Sequence, residues 1–245
     1  DFMDKSVFER EYIVNIENIG ESNLITNRGL LSILEDIACK HSDSVKFGIN
    51  EIPITHFTWV LLAWKVEIKK RVTYGTKIKV RTWAKPARKI YTYRDFEVSD
   101  ENGNIVAIAT SKWALVNVIN DALAKIPDEI IGLYSPNDNN IFDKEEIDKL
   151  EDPKSYTNEY IYTVQRRDID VNKHVHNLNY LSLAYEALPE NIYFSSECNH
   201  VEIMYKKSIK LGNTVKALYS NIDNAHFVTI KSEDESVLYA IIKLY

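Results

Sequence analysis

Lys69-Lys70-Arg71-Val72-Thr73-Tyr74-Gly75-Thr76-Lys77-Ile78-Lys79 decides the architecture, because its pattern recurs in the second half of the chain. Aligning Gly75 with Gly212 (212 − 75 = 137) sets Lys69-Lys70 on Lys206-Lys207, Val72 on Ile209, Ile78 on Val215 and Lys79 on Lys216. A second match lies upstream of each copy, where Leu31-Ser32-Ile33 corresponds to Leu181-Ser182-Leu183. Two matches in separate elements point to a duplicated unit.

The elements around the two copies follow from periodicity. In the first half, Phe8 to Asn18 reads as a strand with Tyr12, Val14 and Ile16 on one side. Thr26-Asn27 offers a helix N-cap, and Leu30, Leu31, Ile33, Leu34, Ile37 and Ala38 recur at helical spacing, with Gly48 as the expected stop. Strands are predicted at Thr58–Lys70, Lys77–Ala84, Tyr91–Val98 and Ile105–Val118, with turns at Tyr74-Gly75 and Asp100-Glu101-Asn102-Gly103. The second half repeats the order. A strand at Glu159–Gln165 precedes a helix carrying Leu178, Leu181, Leu183, Ala184 and Leu188 and ending at Pro189. Strands follow at Val201–Lys210, Thr214–Asn221, His226–Lys231 and Val237–Leu244. A helix between one strand and an antiparallel meander buries its apolar stripe only by packing on the sheet. The fold class is therefore α+β, each half a long helix packed on an antiparallel sheet. The expected division is residues 1–133, a linker at 134–157 holding a loop and a charged helix at Asp143–Glu151, and residues 158–245.

Composition narrows the function classes. The 245 residues include 30 Lys and Arg against 36 Asp and Glu, a formal net charge of −6, which excludes a uniformly basic nucleic-acid binder. The two cysteines cannot build a disulfide framework or a cysteine-rich zinc site, and they favour a reducing, cytoplasmic setting. No apolar run is long enough for a membrane span, and the first residues lack the apolar core of a signal peptide; Met3 reads as a natural start.

The most unusual stretch is Arg166-Arg167-Asp168-Ile169-Asp170-Val171-Asn172-Lys173-His174-Val175-His176-Asn177. In an extended ribbon, residues two apart share a face, so Asp170, Asn172 and His174 would point together while the aliphatic residues anchor the other side. The helix that follows would bring its unpaired N–H groups close to that face. A carboxylate, an amide, an imidazole and a helix N-terminus suit attack on a carbonyl: one to take a proton from water or to attack, others to position the reactants, the last to stabilise an oxyanion. Turns and N-caps also collect Asp, Asn and His, and spacing alone leaves both readings open.

The run Asp170-Val-Asn172-Lys-His174-Val, followed by Asn177 and a helix, resembles the active-site segment of acyl-ACP thioesterases of plant and bacterial kinds. Trp59-Val60-Leu61, Trp83, Ser111-Lys112-Trp113-Ala114-Leu115-Val116, Lys125-Ile126-Pro127-Asp128-Glu129 and Tyr205-Lys206-Lys207 extend the resemblance over nearly the whole chain. The resemblance implies a tandem hotdog, with catalytic residues in the second half, most of the acyl pocket in the first, and one active site per chain. The first-half segment Ile19–Arg28 has no Asp-x-Asn-x-His. It further implies Asp170 as the carboxylate that activates water or attacks the thioester, with Asn172 and His174 orienting it and the carbonyl. Trp59, His176 and Ser208 are the expected substrate contacts. Many relatives carry Glu, and plant forms also Cys, after the Tyr-basic-basic step, where this chain has Ser208 and Ile209. Glu197-Cys198 lies outside that register, so neither residue is assigned to catalysis.

The implied reaction is hydrolysis of fatty acyl-ACP to free fatty acid and holo-ACP, with no metal and no redox cofactor. The partner is acyl carrier protein with its 4'-phosphopantetheine-linked chain, and the fused dimer-like contact leaves homo-oligomerisation open. An acyl-CoA thioesterase and a non-catalytic acyl-thioester-binding module are the alternatives. The basic clusters Lys69-Lys70-Arg71, Arg88-Lys89, Arg166-Arg167 and Lys206-Lys207-Lys210 are either solvated strand edges or a docking surface for the acidic carrier. His200 and His226 read as surface or satisfied core residues, and Phe57, Trp59 and Trp64 as candidates to line an acyl tunnel.

Overall fold

The computed structural model describes residues 5–195 and 198–245. The chain forms two units, Asp1–Ile147 and Asp148–Tyr245.

In the first unit, strand β1 (Phe8–Ile13) leads through a 3-10 turn to helix α1 (Asn27–Ser44). The Thr26 hydroxyl caps α1 by accepting from Gly29 N–H at 2.9 Å. Leu30, Leu31, Ile33, Leu34, Ile37 and Ala38 form the buried stripe, which lies toward β1 and β3. After the short helix α2 (Ile52–Thr55) come β2 (Phe57–Ile68), β3 (Lys77–Ala84), β4 (Tyr91–Ser99), β5 (Ile105–Asn117) and the short β6 (Ala122–Ala124). The sheet order is β1-β3-β4-β5-β2, with β6 on β5, every pair antiparallel. Helix α3 (Asp128–Gly132) follows.

Gly48 does not stop α1. The helix ends at Ser44 with Val45 as C-cap, and Gly48 has φ −92°, outside the left-handed region. A Cβ there would lie 1.9 Å from the Asp43 carboxylate, so any larger residue needs that exposed side chain to turn away.

The predicted helix at Asp143–Glu151 is absent, and residues 143–151 are irregular. A nine-residue charged run without an apolar stripe cannot offset the cost of helix nucleation. The chain before it is strapped to the first unit instead. Asn137 N–H donates to Ala84 O, Trp83 Nε1 to Asn139 O and Ile141 N–H to Asp95 Oδ2, each at 2.9 Å. The Lys85 ammonium donates to Asn139 O and Asn140 Oδ1, and Arg88 pairs with Glu145.

The second unit repeats the plan with β7 (Asn158–Thr163), a 3-10 turn at Arg166–Asp168, α4 (Asn177–Ala187), α5 (Glu190–Ser195), β8 (His200–Tyr205), β9 (Thr214–Ile222), β10 (Ala225–Ser232) and β11 (Leu238–Leu244). Its sheet order is β8-β11-β10-β9-β7, again antiparallel throughout. Leu178, Tyr180, Leu181, Leu183, Ala184 and Ala187 form the buried face of α4, which lies toward β7, β9, β10 and β11. Both repeat glycines sit in left-handed turns, Gly75 at φ +78° and Gly212 at φ +82°, which explains why the turn sequence survives in both copies. Among the described residues no helix is long and apolar enough to cross a membrane.

Candidate active site

Residues 169–175 form a closed turn, not the extended ribbon that alternation predicts. Ile169 and Val175 make an isolated antiparallel bridge. Asp170 N–H donates to His174 O at 2.9 Å, and Lys173 N–H donates back to Asp170 O at 3.0 Å. Lys173 completes the reversal with φ +63°. The Asp170 carboxylate helps to set the turn, because Oδ1 accepts from Asn172 N–H at 2.9 Å. The backbone bonds that close the turn, with the carboxylate-to-amide bond added to them, therefore defeat the two-residue alternation. Val171, expected to anchor the far side, is 66% exposed at the tip, whereas Val175 is buried.

The geometry leaves the chemistry unspent. Asp170 is half-buried, and among the described residues its Oδ2 has no hydrogen-bond partner. Asn172 is exposed and His174 half-buried. No hydrogen bond joins the three side chains to one another, and the Asn172 amide and the His174 ring take none from other described residues. What the turn brings together is one carboxylate, held at one oxygen and open at the other, with an amide two residues on and an imidazole four residues on.

Helix α4 begins immediately after the turn. His176 is its N-cap residue, and its backbone N–H donates to Asp168 O at 2.8 Å while its side chain makes no capping bond. The first amides of α4 thus face the turn end without a His176 side-chain cap, at the positive end of the helix dipole. Asp168, one turn earlier, is buried and structural: its Oδ2 accepts from Gln165 N–H at 2.7 Å and from Tyr162 Oη at 2.8 Å.

The first unit contains the same turn without the chemistry. Gly20 N–H donates to Leu24 O at 3.0 Å, Asn23 N–H to Gly20 O at 3.0 Å, and Asn23 has φ +59°. Ile25 N–H donates to Val72 O at 2.8 Å, as Val175 N–H does to Ile209 O at 2.9 Å. Gly20, Ser22 and Leu24 stand where the second unit has Asp170, Asn172 and His174.

The other expected contacts are spread over both units. Trp59 is on β2, its Nε1 donating to Tyr134 Oη at 3.0 Å and its ring edge-on to Phe47 at 6.3 Å. It packs on a cluster of Phe47, Ala84, Leu115, Ile126, Ile131 and Tyr134. Trp64 is fully buried. Ser208 is exposed in the loop after β8. Tyr180 was not singled out in the sequence, yet it ties that loop to α4: its hydroxyl accepts from the buried Ile209 N–H at 3.1 Å and donates to Lys207 O at 3.2 Å. A tyrosine on an otherwise aliphatic helix face was its only signal. Cys198 is buried, and Glu197 lies outside the described residues.

A groove of about 330 Å³ opens between α4 and β7, lined by Tyr160, Tyr162, Asp168, Val175, Asn179 and Glu186 among others; Asp170, Asn172 and His174 are not part of its lining. Among the described residues no three His, Cys, Asp or Glu side chains gather as a metal site would require.

Comparison with known proteins matches both units. A family model described as the acyl-ACP thioesterase N-terminal domain covers residues 5–134, and one described as the acyl-ACP thioesterase C-terminal domain covers residues 151–242. The chain is 27% identical over 229 residues to oleoyl-acyl carrier protein thioesterase 1, chloroplastic, of Arabidopsis thaliana, covering 86% of this chain and 63% of that protein. This chain thus spans a little over six tenths of the length of that curated relative. Its fold superposes on the 12:0-ACP thioesterase from Umbellularia californica with a TM-score of 0.86 at 22% identity, covering 97% of this chain and 96% of the other. An acyl-ACP thioesterase from Bacteroides thetaiotaomicron VPI-5482 superposes with a TM-score of 0.85 at 21% identity, covering 99% of each chain. The architecture is the tandem hotdog seen in these structures.

Proposed function

Since this chain belongs to the acyl-ACP thioesterase family, we propose that it hydrolyses the thioester of fatty acyl-ACP, releasing free fatty acid and holo-ACP. One observation carries the reading. Two copies of one turn differ in side chains, and only the second copy holds a carboxylate with one oxygen fixed and the other open.

In this mechanism Asp170 Oδ2 takes a proton from water as the water oxygen bonds to the thioester carbon. His174 and Asn172 orient the water and the carbonyl. The N–H groups at the start of α4 stabilise the oxyanion. The C–S bond then breaks, and the proton held by Asp170 passes to the leaving thiolate. His176 and Ser208 are proposed as contacts to the thioester arm. Trp59 is proposed to contact the acyl chain, a role supported by its seat on an apolar cluster in the first unit.

The test is incubation with a panel of acyl-ACPs and mass measurement of the released acids. Comparing kcat/KM on acyl-ACP and acyl-CoA of equal chain length decides between the two thioester carriers. Near-normal turnover by a folded Asp170→Asn protein overturns the assignment.

A further inference from the structure

The corner of the second unit that holds the Asp170 turn carries six exposed cations: Arg166, Arg167, Lys173, Lys206, Lys207 and Lys210. Hydrogen bonds gather them from three segments. Arg166 and Arg167 lie in the 3-10 turn just before Asp170, and Lys173 lies in the Asp170 turn itself. The 206–210 loop is tied to that turn through Val175 N–H to Ile209 O. Its far end is tied back toward the 3-10 turn, because Lys210 N–H donates to Asn213 Oδ1 and Val164 N–H to Asn213 O, each at 2.9 Å.

None of the six forms an ion pair with a described carboxylate. Cations of the other basic clusters do meet carboxylates. Lys69 meets Glu67 at 3.1 Å, Lys70 meets Asp100 at 3.9 Å, and Arg88 meets Glu145 and Glu146. The first unit supplies an internal control. Its equivalent corner has Ile16, Glu17, Asn23 and Thr73 where the second has Arg166, Arg167, Lys173 and Lys210; its Lys69 and Lys70 are paired, and Arg71, where the second unit has Ser208, is turned inward, donating to Ile25 O at 2.9 Å and Asn27 Oδ1 at 2.8 Å. Among the described residues, these six exposed cations without a carboxylate partner lie on the copy of the turn that bears the acid, amide and imidazole. Two apolar side chains stand among these cations, Val171 at 66% and Leu211 at 55% exposure.

We infer that this corner is the docking surface for an acidic protein domain that presents the thioester on a phosphodiester-linked arm, an inference that rests on the proposed hydrolase reading. The chain carries a net charge of −6, so an acidic partner is repelled by the molecule as a whole. A local field of six cations then selects one approach, and that approach delivers the arm beside Asp170. Val171 and Leu211 supply the apolar contact that charge alone does not.

The experiment compares the native protein with Arg166→Glu/Lys207→Glu in the second unit and Lys69→Glu/Lys70→Glu in the first. Each is assayed on acyl-ACP, acyl-CoA and the uncharged acyl-pantetheine thioester over a salt series. The second-unit variant is expected to lose about tenfold or more in kcat/KM on acyl-ACP at low salt and to lose most of its salt dependence. Its rate on acyl-pantetheine, which also reports intact folding, stays native, and the first-unit variant stays near native on all three. Unchanged acyl-ACP kinetics in the second-unit variant overturn the surface. An equal loss on acyl-CoA also overturns it, because the corner then reads only small-molecule phosphates. If the native protein hydrolyses no thioester, the hydrolase reading fails by itself. Binding of ACP loaded with an amide-linked acyl chain then decides the surface: weaker in the second-unit variant if the inference is right, equal if it is wrong.

Discussion

Asp170 in the second unit takes the backbone place that Gly20 has in the first: each N–H closes the same turn, onto His174 O at 2.9 Å and Leu24 O at 3.0 Å. The turn therefore folds without a side chain at this position. Asp170→Gly is expected to shift stability by about 1 kcal/mol or less while abolishing turnover. Asp170→Asn retains an oxygen for Asn172 N–H but loses the base, and turnover should fall about 10²- to 10⁴-fold. Thermal unfolding and acyl-ACP kinetics on both variants check the separation of fold from chemistry.

Lys173 has φ +63° in that turn. A β-branched residue resists this conformation, so Lys173→Val should destabilise by about 1–2 kcal/mol and lower activity by displacing Asp170 and His174. Lys173→Gly accepts the same backbone and should leave the denaturation midpoint nearly unchanged. Equal midpoints for the two variants would show that the left-handed turn is not needed.

Lys85 and Asp95 form a buried pair at 4.0 Å, with side chains 2% and 4% exposed. Burial pushes the Asp95 carboxyl up, and the Lys85 ammonium is among the groups opposing that shift. Lys85→Met leaves the carboxylate buried without its cation, held only by hydrogen bonds such as that from Ile141 N–H, at an expected cost of about 3 kcal/mol. It also releases the hold on Asn139 and Asn140. Adding Asp95→Asn should recover part of the loss, since no charge then remains to be solvated. Urea denaturation of the single and double variants measures both effects.

His41 gives the first unit an acid limit. Burial, with the Arg94 and Arg10 guanidiniums beside it, pushes the imidazole down from 6.5 to about 3. Its Nδ1 meets Arg94 Nη1 at 3.0 Å, and its ring stacks on Phe8 and meets Tyr134 edge-on. The unfolded chain binds this proton near pH 6.5 and the folded chain only near 3. Stability conferred by the neutral ring is therefore present above 6.5 and is lost as pH falls between the two values, by about 2 kcal/mol at pH 5. His41→Asn retains an acceptor for Arg94 and does not titrate, so its stability should fall less between pH 7 and pH 5. Parallel pH profiles for the two proteins would refute this.

The legible parts of the molecule are those set by local chemistry. The stripe from Leu30 to Ala38 marked α1, and Gly75 and Gly212 marked matching turns, because helical periodicity and left-handed φ are properties of a few neighbouring residues. Periodicity fails where backbone turns or the lack of an apolar stripe override it. Gly48 has the composition of a helix stop, but α1 ends four residues earlier at Ser44 and Gly48 has φ −92°. Asp143–Glu151 has a helix-like charge pattern, yet Glu145 is engaged by Arg88 and no apolar stripe draws the segment onto a sheet.

By itself, the sequence determined the duplication, the order of helix and strands in each copy, and which copy carries an acid, an amide and an imidazole, since these depend on residue identity and short spacings. Only the tertiary structure decided that Asp170 closes a turn through Asn172 N–H, that Tyr180 fastens the 206–210 loop, and that Lys85 meets Asp95 and His41 meets Arg94 out of water. The Asp170 turn competes with an extended ribbon that satisfies the same alternation, and folding of the surrounding unit selects between them. The other pairs join residues distant along the chain, and a buried polar group takes its partner from whatever the packed core leaves within reach.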